Sequence, residues 1–580
     1  MARAKSVIGE ISRDKNRTLV VIDPRETETA KKADYFLQVK PGRDAWLMSA
    51  MLGILVKEGL VDQDFIAERT TGFDLVKPYF MNIPIMEYIK IAEVDPEVVY
   101  EVTRKMAAAK SVAIRSDLGI EMSLNSTLNA YLKRLLFLLT GNFNKHGTNH
   151  LGSWFVPLIG HSKDIEDGGR ATMVTKTREI AKVYPPNVLA KEINNDHPDR
   201  LRALVVDSCN PVLNWVDTKA QIEAYKKLDI MVVIDVAMTE TAKEADYVLP
   251  ATNQYEKYEA AFFTENFFHL RRPILEPLGD SLTEPEIYTR LLRAMGALDK
   301  LDFTELKVAA AKEKKESGKG IFQNAFMQAA MSHPSFNNYG VIALRESLGQ
   351  LMPEGAENAA FIWLTAHMYA QKHAKAIREI GIEGRGAELG DILFQKILDS
   401  PSGLKVSKHT YEGLWDLMKT KDKKVNLYIP ELLKDWLSDL PNVLQQQSSI
   451  ESEYPFNLIA GERRTYNANA VIRNLDWAKT DQEGRLKIHP DDAAAKNIKN
   501  GDAIQLTSPT GTIKIVAMIT DEVRPGVVSM PHGKGLDYGQ NQTFEVVGAM
   551  PNILTTADYC DPLAKTPYHK NVRVKMEKVS

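Results

Sequence analysis

The sequence predicts an α/β protein: two related doubly wound α/β halves followed by a small C-terminal β-barrel. Three observations carry this. An eighteen-residue segment occurs twice, VVIDPRETETAKKADYFL at 20–37 and VVIDVAMTETAKEADYVL at 232–249, with thirteen identical positions and a spacing of 212. Between 301 and 440 the chain is rich in Ala, Lys, Glu and Leu at helical spacing. From 456 onward, short alternating segments are separated by Gly, Pro, Asn and Asp turns, the pattern of a compact β unit.

In chain order, TLVVID (18–23) is a β-branched apolar run, as expected of a buried parallel strand, and Asp23 ends it. The polar, Ala-interleaved TETAKKAD that follows predicts a helix start with Thr27 placed to cap it. The second copy repeats this with LDIMVVID, Asp235, Thr239, Thr241, Ala245 and Asp246. Doubly wound sheets bind nucleotides at the C-terminal ends of their strands, where a carboxylate suits a ribose hydroxyl. Such a charge-assisted hydrogen bond contributes about 1.5–3 kcal/mol. The simpler alternative is that Asp23 and Asp235 only cap helices. Two copies imply two similar ligands or one pseudo-symmetric ligand.

Each copy has a second element nearby. In VKPGRDAW (39–46), Gly42 permits a turn of positive φ. Asp44 is placed either to accept from the N1–H and N2–H₂ edge of a guanine or to cap the apolar helix AWLMSAMLGILVKEGL. Ahead of the second copy, ALVVD ends in the loop Ser208–Cys209–Asn210–Pro211, whose backbone N–H groups suit a phosphate. No base adjoins Cys209 in sequence to activate it as a nucleophile.

In the helical middle region, GIEGRGAELGD (381–391) lacks GxGxxG spacing and a preceding strand, so it predicts a loop entering a helix. His367 and His373 are six apart, poor spacing for joint ligation. QQQSSIESE (445–453) predicts a polar linker. GRLKIHPDDAAAKNIKNGDAIQLTSPTGTIKIVAMI predicts a strand, a short Ala-rich helix, a turn at Asn500–Gly501 and two alternating strands. The expected domains are 1–158, 159–450 and 451–580.

A net charge of -3 over 580 residues gives no electrostatic case for nucleic acid or an anionic membrane. No apolar run approaches the ~20 residues of a membrane helix. The segment MARAKSVIGEISRDKNR lacks the apolar core of a secretory signal, so a cytoplasmic location is expected for the sequence as written. Two cysteines, Cys209 and Cys560, cannot supply a four-cysteine zinc or iron–sulfur site.

The segments VVIDPRETETAKKAD, VKPGRDAW, LLFLLTGNFNKHG, VVDSCNPVLNW and VVIDVAMTETAKEADYVLPATNQYEKYEAAFF, in this order, resemble the molybdopterin oxidoreductases of the dimethyl-sulfoxide-reductase type. NLIAGERRTYNANAVIR, the GRLKIHPDDAAAKNIKNGDAIQL stretch and AMPNILTTADYCDPLAKTPYHKNV resemble that family's dinucleotide-binding barrel, of double-psi type. The resemblance implies two molybdopterin guanine dinucleotides, one on each α/β half, chelating one molybdenum or tungsten. By this likeness Asp23, Arg25, Gly42 and Asp44 hold one guanosine end, and Asn210, Asp235, Thr239 and Asp246 line the site of the other. Thr140, Gly141 and Asn142 lie at the inner side. Gly461, Arg463 and Arg464 of the GERRTYNAN loop suit pyrophosphate oxygens, and Asn469, Asn552, His569 and Lys570 are further contacts. The implied activity is two-electron redox chemistry or oxygen-atom transfer on a small-molecule substrate, with an electron-transfer partner. The alternative is a non-catalytic structural subunit or a decayed fragment that keeps the fold.

Family members carry a cysteine-rich iron–sulfur segment and a Ser, Cys, selenocysteine or Asp ligand to the metal ahead of the VVIDPR strand. Nineteen residues precede Val20 here. A truncated chain is therefore expected: the 4Fe–4S cluster of the complete enzyme has no ligands in it, the metal has no identifiable protein ligand, and the first sheet has an uncovered edge. The loop after LTGN reads FNKHGTNHLGSWFVP, without the Arg that the family's formate dehydrogenases place there, which disfavours formate. His146, His150 and Trp154 either line the substrate funnel or belong to a surface loop.

Overall fold

Both copies of the repeat fold into one strand–turn–strand unit in the computed structural model, which describes residues 3–156, 160, 162–163, 165–262, 266–299, 301–316, 319–332, 336–462, 470, 473–477, 483–537 and 545–579. After helix α1 (Ala4–Arg13), β1 (Val20–Ile22) runs parallel to β2 (Tyr35–Leu37), with Val20 opposite Tyr35. In the second half β3 (Ala203–Asp207), β4 (Ile230–Asp235) and β5 (Tyr247–Pro250) form a parallel sheet in that order. There Val232 lies opposite Tyr247, the same register 212 residues later.

The same hydrogen bonds tie both units. Leu19 N–H donates to Asp34 Oδ2 and Met231 N–H to Asp246 Oδ2, each at 2.7 Å. Ala30 N–H donates to Thr27 Oγ1 at 3.1 Å, and Ala242 N–H to Thr239 Oγ1 at 3.0 Å. The predicted helix is only a 3₁₀ turn, Ala30–Lys32 in one copy and Ala242–Glu244 in the other. It stops because the next residue turns extended, Ala33 with ψ 146° and Ala245 with ψ 149°. That turn delivers the Asp carboxylate to a backbone N–H at the start of the preceding strand, Leu19 just before β1 and Met231 within β4.

The rest of the first half is helical: α2 (Asp44–Lys57), α3 (Pro96–Ala108) and α4 (Ser126–Leu139). Every residue of α2 from Ala45 to Val56 is buried, as expected of a helix that is apolar on all sides. Residues 425–440, assigned from sequence to the second half, pack here instead. Leu427, Leu433 and Leu440 join this core, Val425 pairs with Thr70, and Tyr131 Oη donates to the Leu427 carbonyl.

The second half extends into the predicted helical lobe, whose helices include α5 (Phe361–Arg378) and α6 (Ala387–Leu398). Here His367 and His373 are both buried, and His367 Nε2 lies 2.9 Å from Asp391 Oδ1. The predicted linker at 445–453 is the end of a helix, Leu440–Glu453. Pro441 starts it, and Val443 and Leu444 pack on the first core, so the helix carries into its polar end.

The C-terminal region closes a six-stranded barrel of β6 (Phe456–Glu462), β7 (Leu486–Ile488), β8 (Ala503–Thr507), β9 (Thr512–Ile519), β10 (Val527–Pro531) and β11 (Val572–Lys578). Around the barrel the order is β6-β10-β7-β9-β8-β11. The predicted short helix is Pro490–Ala495, and Gly501 makes the turn with φ +89°. Among the described residues no helix is long and apolar enough to cross a membrane.

Candidate cofactor site

The turns that follow β1 and β4 both open on one cavity of about 3060 Å³, and the barrel forms a further wall of it. The first half contributes Asp23, Arg25, Gly42 and Asp44, the second Asn210, Asp235 and Thr239, and the barrel Gly461, His569 and Lys570. These predicted residues are therefore brought together. Asp23 Oδ1 accepts from Arg25 N–H at 2.9 Å, and Asp235 Oδ1 from Ala237 N–H at 3.2 Å, equivalent bonds in the two copies.

The cavity shifts its titratable groups. Burial pushes the Asp44 carboxyl up to about 6, with Asp23 adding to the effect. Burial also raises Asp23, against Arg25 and Lys570, and Asp235, against its backbone hydrogen bonds and Arg473. His569 is pulled down to about 3 by burial and by Lys570, so it is neutral. Lys570 Nζ donates to the carbonyls of Ala460 and Gly461. Gly42 has φ +77°, which strains any other residue, and a Cβ there would press on Asn571 Oδ1 at 3.1 Å.

Other predicted residues are placed elsewhere. Thr140 Oγ1 donates back to the Leu136 carbonyl, and Asn142 Oδ1 accepts from Val112 N–H at 3.0 Å. Gly141 packs so tightly that a Cβ would meet Asp62 Oδ2 at 2.1 Å. Asp246 serves the opposite end of β4 from Asp235, and Asn552 Nδ2 donates to the Leu213 carbonyl at 2.7 Å. None of these five lines the cavity. Arg463, Arg464 and Asn469 lie outside the described residues.

Sequence reasoning missed the polar contacts that hold the barrel over the cavity. On the first copy, Arg25 faces Glu462 at 3.3 Å and Glu522 at 3.5 Å, and Lys487 sits between the same two carboxylates. On the second, buried Glu240 accepts from Arg473 at 2.7 Å, from Asn210 Nδ2 at 2.7 Å and from Asp537 N–H at 3.0 Å. Burial pushes the Glu240 carboxyl up, but these donors outweigh it and hold it below the usual range. Asn210 and Thr239 thus line the cavity while building its loop. The signal for Glu240 was its place inside the repeat.

The residues fit a dinucleotide. Asn214 Oδ1, Thr252 Oγ1 and Ser529 Oγ are buried atoms of cavity-lining residues, and none has a hydrogen-bond partner. Buried polar atoms left unpaired cost about 1–3 kcal/mol each unless a ligand satisfies them. Carboxylates, hydroxyls and cations in one cavity suit guanine, ribose and pyrophosphate together. Among the described residues no three His, Cys, Asp or Glu side chains converge to hold a metal ion.

Comparison with known proteins agrees with this geometry. The dimethyl sulfoxide reductase of Escherichia coli is 24% identical over 607 aligned positions, covering 97% of this chain and 68% of that protein. A formate dehydrogenase subunit alpha of Methanocaldococcus jannaschii is 25% identical over 586 positions, covering 98% of this chain and 73% of the relative. The solved structure of acetylene hydratase from Pelobacter acetylenicus superposes with TM-score 0.67 at 17% identity, over 97% of this chain and 74% of that one, a likeness of fold. Residues 456–573 match the molydopterin dinucleotide binding domain and residues 4–294 the molybdopterin oxidoreductases, and to that family the chain belongs.

Proposed function

We propose that this chain is the cofactor-holding part of a molybdenum or tungsten oxidoreductase that carries two molybdopterin guanine dinucleotides, one against each repeat. The observation that carries this is the pair of equivalent turns, with Asp23 and Asp235 in equivalent hydrogen bonds, opening on one cavity beneath the barrel. Asp23 and Asp235 accept from the riboses, and Asp44 from a guanine edge. Arg25 and Lys570 lie against phosphate oxygens, and Asn214, Thr252 and Ser529 complete the polar contacts. When bound, the metal–dithiolene centre supplies two-electron redox chemistry or oxygen-atom transfer. The chain's residues orient the cofactor and, through the barrel, exclude water from it. A 4Fe–4S cluster serves the working enzyme, and Cys209 and Cys560 are too few to ligate it. Electrons pass to a partner subunit, in keeping with relatives that are named as alpha subunits.

The double substitution Asp23→Ala with Asp235→Ala tests the assignment. Denatured wild-type protein is expected to release guanine nucleotide together with molybdenum or tungsten, and the variant to release neither. Unchanged nucleotide content in the variant would overturn the assignment. Nucleotide without metal in the wild type would make the chain a structural subunit.

A further inference from the structure

The turn Lys40–Asp44 is held from behind by segments far away in the chain. Arg43 N–H closes the turn on the Lys40 carbonyl at 3.0 Å, and Asn571 packs against Gly42. The Met122 carbonyl accepts from Lys570 N–H at 3.1 Å, so the end of the barrel also steadies the loop that carries Ser123. Ser123 in turn hydrogen-bonds to the Asp44 carboxyl. Gly42 and Asp44 line the cavity, whereas Arg43, between them, does not and is 4% exposed.

Behind the turn lies a cluster of three charges. The Arg43 guanidinium sits 5.2 Å from the centroid of the Trp46 ring and 3.7 Å from Glu451 Oε1. The same carboxylate oxygen accepts from Arg573 of β11. Glu451 stands near the end of the helix Leu440–Glu453, which leads into the barrel. One half-buried carboxylate thus joins the turn, that helix and the last strand of the barrel. Burial and Arg573 oppose the charge on Arg43, while Glu451 supports it, with Tyr559 and Glu93 adding less. Glu93 is itself paired with Lys40 and Arg524. A buried cation that loses its carboxylate is costly until another anion joins it. The residue adjoining Arg43 on the cavity side, Asp44, is such an anion.

We propose that Glu451 is a positioning residue for the guanine site: by holding Arg43 on the far side of the turn, it leaves the Asp44 carboxylate free for the guanine edge. This rests on the reading of Asp44 as the acceptor of that edge. From the other segments packed on it, Asp44 faces Asp23 and Ser123. Without Glu451, two guanidinium groups lose the carboxylate they share. Arg43 then turns to Asp44, where it competes with the guanine and favours the ionised carboxylate at lower pH.

The full chain, freed of bound nucleotide, is titrated calorimetrically with guanosine monophosphate between pH 5 and 8. Wild-type affinity is expected to rise through a midpoint at about 6, where Asp44 ionises. Asp44→Asn is expected to lose this pH-dependent part, which marks the site. Glu451→Gln is expected to bind roughly tenfold more weakly at pH 8, with its midpoint roughly half a unit lower. Glu451→Asp is expected to stay within about threefold of wild type. Glu453→Gln, at an exposed carboxylate two residues on, is expected to change neither quantity. If Glu451→Gln does not fold, Glu451→Gln with Arg573→Gln removes one of the two cations as well, and the same lowered midpoint is expected. Equal affinity and midpoint in wild type and Glu451→Gln overturn the proposal. Weaker binding with an unmoved midpoint also overturns it, because Glu451 then only holds the fold together. An equal loss in Glu453→Gln does the same. Wild-type binding that Asp44→Asn leaves unchanged, or no binding at all, overturns the reading of Asp44 and the proposal with it.

Discussion

The two copies of the repeat share a sequence, a strand register and a set of hydrogen bonds, yet they live in different surroundings. In the second half β4 is flanked by β3 and β5, and Ile234 is 0% exposed. In the first half β1 pairs, among the described residues, with β2 alone, and the equivalent Ile22 is 39% exposed. The faces of the sheets differ as well. Val20 and Tyr35 pack on the first core, whereas Tyr247, the equivalent of Tyr35, is 60% exposed. The barrel grips both copies through an equivalent lysine, Lys31 on Glu522 and Lys243 on Asp537, but the second contact differs in sign. The first turn adds the cation Arg25 to Glu462 and Glu522, and the second adds the anion Glu240 to Arg473. Local sequence therefore builds the unit, and long-range partners decide what each copy contributes.

The largest effect expected from breaking this comparison is at Glu240. Its equivalent, Glu28, is exposed, whereas Glu240 is buried among three donors. Glu240→Ala leaves Arg473 without its carboxylate and Asn210 Nδ2 without its acceptor, and breaking a buried pair costs about 3–5 kcal/mol. Glu28→Ala is expected to stay within roughly 0.5 kcal/mol. Denaturant midpoints, with hydrogen exchange in the barrel, measure both. Equal losses would mean that the second grip does not hold the barrel.

The next effect is pH-dependent and belongs to the first half. The folded pKa of Asp44 lies above its unfolded value of 3.8, at about 6. The native state keeps the proton longer, so this contribution to stability is present below pH 4 and is lost as pH rises through 6. A shift of that size corresponds to roughly 3 kcal/mol. Asp44→Asn removes the slope, so the variant is expected to gain on wild type between pH 4 and 7. A guanine edge stabilises the ionised carboxylate, so guanosine nucleotide affinity is expected to rise over the same window. Parallel pH profiles for the two proteins would show that Asp44 is not desolvated by the cavity wall.

This division explains what was legible in the sequence. The repeat unit was readable because strand, Thr cap and Asp clasp lie within eighteen residues, and the barrel because its turns are local. That Asp23, Asp44 and Asp235 share one cavity follows from their places just past a strand or turn, where the two halves and the barrel meet. Glu240 was not, since the residue that distinguishes it from Glu28 is Arg473, more than two hundred positions away. Thr140 and Asn142 have the residue types of a ligand site, but the chain spends them on holding its own backbone at Leu136 and Val112. The stretch 445–453 read as a linker because its polarity is local, while its anchors, Val443 and Leu444, precede it and act across the fold.

The smallest effect tests whether the local unit is as independent as this argument needs. Thr27 and Thr239 each cap their 3₁₀ turn through Oγ1, at 3.1 and 3.0 Å. Thr27 is half-buried and Thr239 is buried. Replacing such a cap by Ala costs about 1 kcal/mol. If the unit is set by its own hydrogen bonds, Thr27→Ala and Thr239→Ala lose the same stability within roughly 0.5 kcal/mol, the additivity expected of distant sites. The double variant then loses the sum. A markedly larger loss at Thr239 would mean that the buried contacts of the second copy reach into the turn itself. The two copies would then share a sequence without sharing the balance of forces that folds it.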